Sequence, residues 1–124
     1  MTEPRVLVDN LAFPESPRWH RNQLWFCDWG AREIIGVDVQ GQGKVVVRVE
    51  SFPFSIDWLP DGHLLVVSGT TLRQSAPGGS LSTYADLERL DGHSWNDIVV
   101  DGRGNVYVNN IGFDFPGGEV TPGI

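Results

Sequence analysis

The stretch RWHRNQLWFCD at residues 18–28 has two near copies later in the chain. They are DWLPDGHLLVV at residues 57–67 and VVDGRGNVYV at residues 99–108. In each copy, a short apolar strand leads through a tight polar turn into a second apolar strand. The matched positions in the second strands, 40 and then 42 residues apart, are Leu24, Leu64 and Val106. A strand-rich repeat of about 40–45 residues is typical of β-propeller blades with four strands each.

Apolar runs punctuated by glycine and proline predict an all-β chain. The predicted strands are residues 5–9, 16–20, 23–29, 33–39, 44–50, 54–59, 63–68, 71–76, 81–86, 96–101 and 105–110. The Asp-Gly pairs at 61–62 and 101–102 predict two-residue hairpin turns, because glycine tolerates a positive φ. Residues 41–43 and 77–79 predict two more hairpins. Residues 83–90 also fit a short amphipathic helix, but a strand there fits the four-strand blade better.

Grouped in fours, these strands form about two and a half blades. Blade 1 covers residues 16–50, blade 2 covers 54–86, and a partial blade 3 starts at residue 96. We therefore interpret residues 1–124 as the N-terminal part of a single β-propeller domain, with 5–9 as an outer strand that joins the last blade. Two and a half blades cannot close a ring. We expect the remaining blades, a partner or a second copy of the chain to cover the open apolar face.

Bulk composition restricts the class of protein. The chain has 124 residues, the size of one ordinary domain, and a formal net charge of −7. Nucleic-acid binders need a basic face, so we expect no nucleic-acid partner. There is no apolar stretch long enough to span a bilayer and no apolar leader, so we expect no membrane association. The single cysteine, Cys27, allows no disulfide within the chain, which favours a cytoplasmic location.

Matching residues late in the first strand of each repeat are Trp19, Trp58 and Val100. The residues four positions before them are Glu15, Phe54 and Asn96. In a propeller they would sit at one height around the mouth of the central channel. Carboxylate and amide oxygens suit a hard divalent cation such as calcium, which takes about 6–8 oxygen ligands. Glu15 and Asn96 are therefore predicted metal ligands. The alternatives are an exposed loop glutamate between two prolines and an asparagine that opens an Asx turn.

Residues near Asn96 are predicted to line the same mouth and to contact a small-molecule substrate. They are His93, Ser94, Trp95, Asn96 and Asn110. An ordinary loop histidine is the alternative interpretation of His93. Trp95 is interpreted as a rim residue that shapes a pocket.

Other conspicuous residues are interpreted as structural. Cys27 lies in an apolar strand and fits core packing better than a nucleophile. His20 and His63 occupy turns and are expected to be solvated. The chain has no Gly-x-Ser-x-Gly elbow, no His-Glu-x-x-His and no phosphate loop. Four tryptophans at strand positions are predicted to lie in the blade core: Trp19, Trp25, Trp29 and Trp58.

Two motifs together resemble the SMP-30/gluconolactonase family. Residues 14–28 contain a Glu-x-Pro-x-Trp segment followed by a strand that ends in aspartate, and residues 96–107 contain an Asn-Asp strand followed by an Asp-Gly hairpin. The resemblance implies a six-bladed propeller that holds one divalent metal and hydrolyses lactones or related esters. It assigns Glu15 and Asn96 to the metal site and places the catalytic base in later blades that this chain lacks.

The resemblance has one informative departure and leaves three functions open. Ser94 stands where sugar-lactone members often have an arginine, so a less polar substrate is expected. Calcium is the favoured ion, with zinc, manganese and magnesium as alternatives. The first function is a metal-dependent lactonase or esterase. The others are a non-catalytic β-propeller binding or scaffold module, and a ligand sensor that keeps the metal without catalysis.

Overall fold

In the computed structural model, which describes residues 2–124, the chain is built from β-strands, as predicted. The strands are β1 (Pro14–His20), β2 (Gln23–Asp28), β3 (Glu33–Val37), β4 (Gly43–Arg48), β5 (Phe54–Trp58), β6 (Leu64–Ser68), β7 (Thr71–Ser75), β8 (Leu81–Asp86), β9 (Trp95–Val100) and β10 (Val106–Asn110). Each predicted strand from residue 16 onwards has a counterpart within two residues at either end. The strand interpretation of residues 83–90 is favoured, since β8 covers their first half. No helix in the described chain is long and apolar enough to cross a membrane.

Residues 5–9 form no strand pairing within this chain, and Val6 is exposed. The last blade, which this segment is predicted to join, lies outside the chain, so the outer strand stays a prediction. The segment passes the β3–β4 turn, where the Arg5 guanidinium donates a hydrogen bond to the carbonyl of Val39 at 3.1 Å.

The strands form two four-stranded antiparallel sheets and one two-stranded sheet. Their orders are β1-β2-β3-β4, β5-β6-β7-β8 and β9-β10, so each strand pairs with the next one in the chain. Across the sheets, β5 packs against both β1 and β9. The first strands of the three sheets therefore lie side by side, as the repeat predicts.

Four hairpin loops share one hydrogen-bonding pattern, and it differs from the predicted one. They span residues 38–42, 59–63, 76–80 and 101–105, and in each the first amide donates to the last carbonyl. Three residues lie between the paired ones, so the predicted two-residue turns at 61–62 and 101–102 are wrong. The fourth residue of each loop is a glycine with positive φ; in the last loop it is Gly104, at 85°, and not Gly102. A two-residue turn does occur at 21–22, where both φ values are positive.

Two apolar clusters fill the spaces between the sheets. The first contains Cys27, Ile34, Val49, Phe54, Ile56, Leu64 and Val66. The second contains Leu65, Val67, Leu72, Leu87, Trp95 and Ile98. The alternating side chains of β6 supply both clusters, because successive residues of a strand point to opposite faces. Cys27 is fully buried, as expected, and this burial raises the pKa of its thiol to about 12.

The tryptophans and one histidine depart from their predicted environments. Trp19 is 63% exposed, because it lies on the side of β1 that no described strand covers. Trp25 and Trp58 are half-buried at the edge of the first cluster. His20 is not a solvated turn residue, because its ring stacks on Trp58 with the centroids 3.9 Å apart. Burial and the neighbouring Arg21 charge lower the pKa of His20.

Asp28 ties two loops to the end of β2. It is 3% exposed, and its carboxylate accepts the amides of Ala12 and Phe13, both at 2.9 Å, and of Ala31 at 3.2 Å. Burial acts to raise the pKa of Asp28, but these backbone hydrogen bonds outweigh it and hold the pKa below its usual value. The carboxylate therefore fixes the segment that leads into β1 and positions Glu15.

Replacing Asp28 by alanine should lower the free energy of unfolding by about 2–4 kcal/mol at neutral pH, because three amides lose a charged acceptor. The folded-state pKa of Asp28 is depressed, so its contribution is present above the unfolded pKa of about 4 and is lost as the pH falls through the folded pKa. Urea titrations at about pH 7 and about pH 2 measure this. The difference between the wild type and the Asp28→Ala variant should shrink in acid.

The exposed Glu88 provides a matched control. Glu88→Gln should change stability by less than about 0.5 kcal/mol at either pH. If Asp28→Ala costs the same free energy at both pH values, the ionised carboxylate is not what holds the two loops.

Candidate metal and substrate site

The amino-terminal ends of β1, β5 and β9 surround one cavity of about 150 Å³. Its lining includes all three residues that the repeat places at equal height, Glu15, Phe54 and Asn96. The other lining residues are Ser16, Trp29, Ser55 and Asp97. The predicted register therefore brings a carboxylate and a carboxamide from two different sheets to one opening.

A hydrogen-bonded chain joins the three inner strands directly below that height. The hydroxyl oxygens of Ser16 and Ser55 are 2.5 Å apart, and Ser55 donates to Asp97 Oδ1 at 2.6 Å. Each of these residues directly follows one of the three matched residues. The sequence analysis missed them, although reading the same alignment one position further would have shown two serines and an aspartate in register.

Arg18, on the first sheet, contacts Asp97 and Ile98 on the third sheet and so adds a direct link between these two sheets. Its Nη2 lies 3.1 Å from Asp97 Oδ1 and donates to the carbonyl of Ile98 at 3.0 Å. Burial acts to raise the pKa of Asp97, but the Ser55 hydroxyl, the Ile98 amide and the Arg18 charge outweigh it and lower that pKa. Asp97 is thus held as a carboxylate whose Oδ1 is already engaged.

The predicted substrate residues lie at the same ends of β9 and β10 but do not all line the cavity. His93 Nδ1 is 2.6 Å from Asp91 Oδ1. The hydrogen bond from the His93 backbone amide, followed by this ring contact, lowers the pKa of Asp91. Asn110 is buried, and its side-chain oxygen accepts the amide of Ile124 at 2.8 Å. Of the five predicted substrate residues, only Asn96 borders the cavity.

Trp95 does not lie at a pocket rim. It begins β9, is 2% exposed and packs in the second apolar cluster. Its backbone amide donates to the carbonyl of Gly69 at 2.9 Å, which draws the start of β9 against the second sheet. The neighbouring Ser94 accepts the amide of Ile111 at 3.4 Å through its carbonyl. The predicted rim position is wrong because strand pairing turns the indole into the core.

The donor set at the cavity suits a hard cation and is incomplete. The Glu15 carboxylate is exposed and takes part in none of the ion pairs found in residues 2–124. With the carboxamide of Asn96 it offers two kinds of oxygen ligand that calcium prefers. No group of three or more His, Cys, Asp or Glu side chains in the described chain is placed to hold a metal ion. Further ligands would have to come from outside these residues.

Comparison with known proteins identifies the family. The family model described as "SMP-30/Gluconolactonase/LRE-like region" matches residues 13–123. The chain belongs to this family. No curated protein sequence matches the chain.

Two solved structures of similar fold confirm that the sheets are blades of a β-propeller. A gluconolactonase from Xanthomonas campestris superposes with a TM-score of 0.72 and 18% sequence identity, covering 86% of this chain and 37% of that one. A calcium-binding protein, regucalcin, from Agrobacterium tumefaciens superposes with a TM-score of 0.63 and 20% identity, covering 82% and 36%. This SMP-30/gluconolactonase family chain therefore spans somewhat over a third of the length of each structure.

Ser55→Ala tests the hydrogen-bonded chain between the blades. The variant leaves both the Ser16 hydroxyl and Asp97 short of a partner, so the free energy of unfolding should fall by about 1–3 kcal/mol. The pKa of Asp97 should rise, because the charged form loses a donor. Urea unfolding and NMR titration of the carboxyl carbon measure the two effects.

Ser82, which is exposed on β8, offers the matched control, and Ser82→Ala should change neither quantity. An unchanged Asp97 pKa in Ser55→Ala would show that the serine does not hold the carboxylate in solution.

Proposed function

We propose that this chain forms part of a metal-dependent hydrolase that acts on a lactone or a related ester. The observation that carries the proposal is the meeting of Glu15 and Asn96, from two different blades, at one cavity of a chain in the gluconolactonase family. A scaffold has no need to place two oxygen donors at equal height around a channel. Membership of the family favours lactone chemistry over unrelated uses of a propeller.

Glu15 and Asn96 are the residues that would hold a divalent cation. Calcium is the favoured ion because both are hard oxygen donors; zinc, manganese and magnesium remain alternatives. The structurally similar regucalcin is itself described as calcium-binding, which supports this choice. When bound, such an ion supplies Lewis-acid polarisation of a carbonyl oxygen.

The chain's own residues contribute position and charge. Hydrogen bonds among Ser16, Ser55 and Asp97 hold the three inner strands at one height. This common height brings Glu15 and Asn96 to the same cavity. Because Asp97 Oδ1 already accepts from Ser55 and Arg18, we do not assign it the role of general base. The base and the remaining ligands are proposed to lie in blades outside this chain.

His93, Ser94 and Asn110 stay predicted contacts for the substrate, around the mouth of the channel. His93 is half-exposed and held by Asp91, so its ring has a fixed direction and access to solvent. The histidine is proposed to orient the substrate, and no step of hydrolysis is assigned to it.

The third sheet leaves apolar side chains of one face exposed to solvent. Val99 and Tyr107, on neighbouring strands, are both more than half exposed. We propose that the remaining blades of the propeller, or a second copy of this chain, pack against them, in a cytoplasmic protein. Apolar blade faces left in water would favour association.

Glu15→Gln should weaken calcium binding by at least about tenfold, because a neutral amide replaces a cavity-lining carboxylate that takes part in none of the ion pairs found in residues 2–124. Isothermal titration calorimetry with calcium chloride measures this, and lactone hydrolysis followed by acid release gives the corresponding activity. The midpoint of thermal unfolding without metal should not change, since Glu15 is exposed.

Glu88→Gln removes a distant exposed carboxylate and should bind calcium like the wild type. Equal calcium affinity in Glu15→Gln and the wild type would refute the metal assignment. It would leave the non-catalytic binding or scaffold module as the better description.

A further inference from the structure

A second cavity of about 310 Å³ adjoins the first, and its walls are mainly aromatic. Its aromatic lining residues are Phe13, Trp29, Phe52 and Phe115, and Gly30, Arg32 and Pro116 complete the wall. They come from four separate segments: the lead-in to β1, the β2–β3 loop, the β4–β5 loop and the stretch after β10. None of the residues predicted from sequence to bind substrate or metal lines this cavity.

The aromatic side chains of the wall pack against one another. The rings of Phe13 and Trp29 stack with centroids 5.4 Å apart, and those of Trp29 and Phe52 are 6.3 Å apart. The Arg32 guanidinium lies 4.7 Å above the Phe52 ring and donates to the carbonyl of Glu50 at 2.5 Å. The charged group is therefore engaged with protein atoms, and the space inside the cavity is bounded chiefly by carbon.

Trp29 is a wall of both cavities. Its indole Nε1 donates to the carbonyl of Phe54 at 2.7 Å, and its backbone amide donates to the carbonyl of Phe13 at 2.9 Å. These two hydrogen bonds fix the indole between the aromatic cavity and the cavity that Glu15 and Asn96 line. The two cavities therefore share one wall, and Trp29 is the residue that borders both.

We propose that the aromatic cavity binds an apolar substituent, aryl or alkyl, of the lactone or ester, and so selects substituted apolar substrates. This inference rests on the proposed function. A cavity of about 150 Å³ lined by apolar side chains already accommodates benzene, so 310 Å³ has room for one ring or a short alkyl chain. The hydroxyl groups of a sugar lactone would be left without partners against these rings, at a cost in free energy.

Calorimetric titration of the 124-residue chain with two uncharged lactones tests the proposal. Without added metal, γ-phenyl-γ-butyrolactone should bind at least about tenfold more tightly than unsubstituted γ-butyrolactone, because burial of a ring adds apolar contact. Phe115→Ser should remove most of that preference. Phe13→Ser, which changes another aromatic residue of the wall, should do the same and serves as the second variant if the first fails to fold.

Tyr84→Ser is the matched control. Tyr84 is 44% exposed, close to the 39% of Phe115, and it lines neither cavity. This variant should keep the wild-type preference for the phenyl lactone. Equal affinity of the wild type for both lactones, or an unchanged preference in both phenylalanine variants, would overturn the inference.

Calcium titration keeps this inference separate from the proposed function. If Phe115→Ser binds calcium like the wild type but no longer prefers the phenyl lactone, the result supports the aromatic subsite. A wild-type chain that binds calcium through Glu15 and shows no preference overturns the subsite and leaves the metal site standing. A changed native mass of Phe115→Ser with unchanged preference would assign the cavity to contact with a second copy, and would also overturn it.

Discussion

Burial of β6 on both of its faces is the constraint on which the rest of the structure depends. Leu64 and Val66 pack toward the first sheet, while Leu65 and Val67 pack toward the third. The middle sheet therefore cannot slide against either neighbour without opening both apolar clusters. Because the sheets keep one relative height, the first strands of successive blades present equivalent residues side by side.

The polar network around the channel follows from that fixed height. Ser16, Ser55 and Asp97 share one register position. The two serines are buried and Asp97 is exposed, and each serine hydroxyl finds a partner on the next strand around the channel. Polar groups at such positions need hydrogen bonds, and only matched neighbours can supply them. The positions just before them hold Glu15, Phe54 and Asn96. Phe54 packs in the first apolar cluster, and the two proposed metal ligands are held at the same height as Phe54.

The two cavities differ in the chemistry of their walls, which is the basis of the proposed recognition of a lactone or ester. One presents oxygen donors, and the other presents aromatic carbon, with the indole of Trp29 held between them. Most of the aromatic wall comes from loops next to the strands of the first sheet, and Phe115 and Pro116 come from the stretch after β10. Asp28 links these features, because the amides it binds include that of Phe13, the residue that stacks on Trp29.

Much of the fold was determined by sequence alone. The repeat, the ten strands after residue 13 and the shared register of Glu15, Phe54 and Asn96 are local patterns of apolar spacing and turn residues, and these are visible in one dimension. The family resemblance, confirmed by the match to residues 13–123, rests on the same patterns.

Only the tertiary structure decided which side chains contact one another between the blades. Trp19 and Trp95 occupy similar strands in the sequence, yet one is exposed and the other buried, because burial depends on which neighbouring sheet covers a face. The stacking of His20 on Trp58 and the convergence of Phe13, Phe52 and Phe115 likewise join residues far apart in the chain. Such contacts arise from the packing of sheets against one another, and no periodicity within a single strand encodes them.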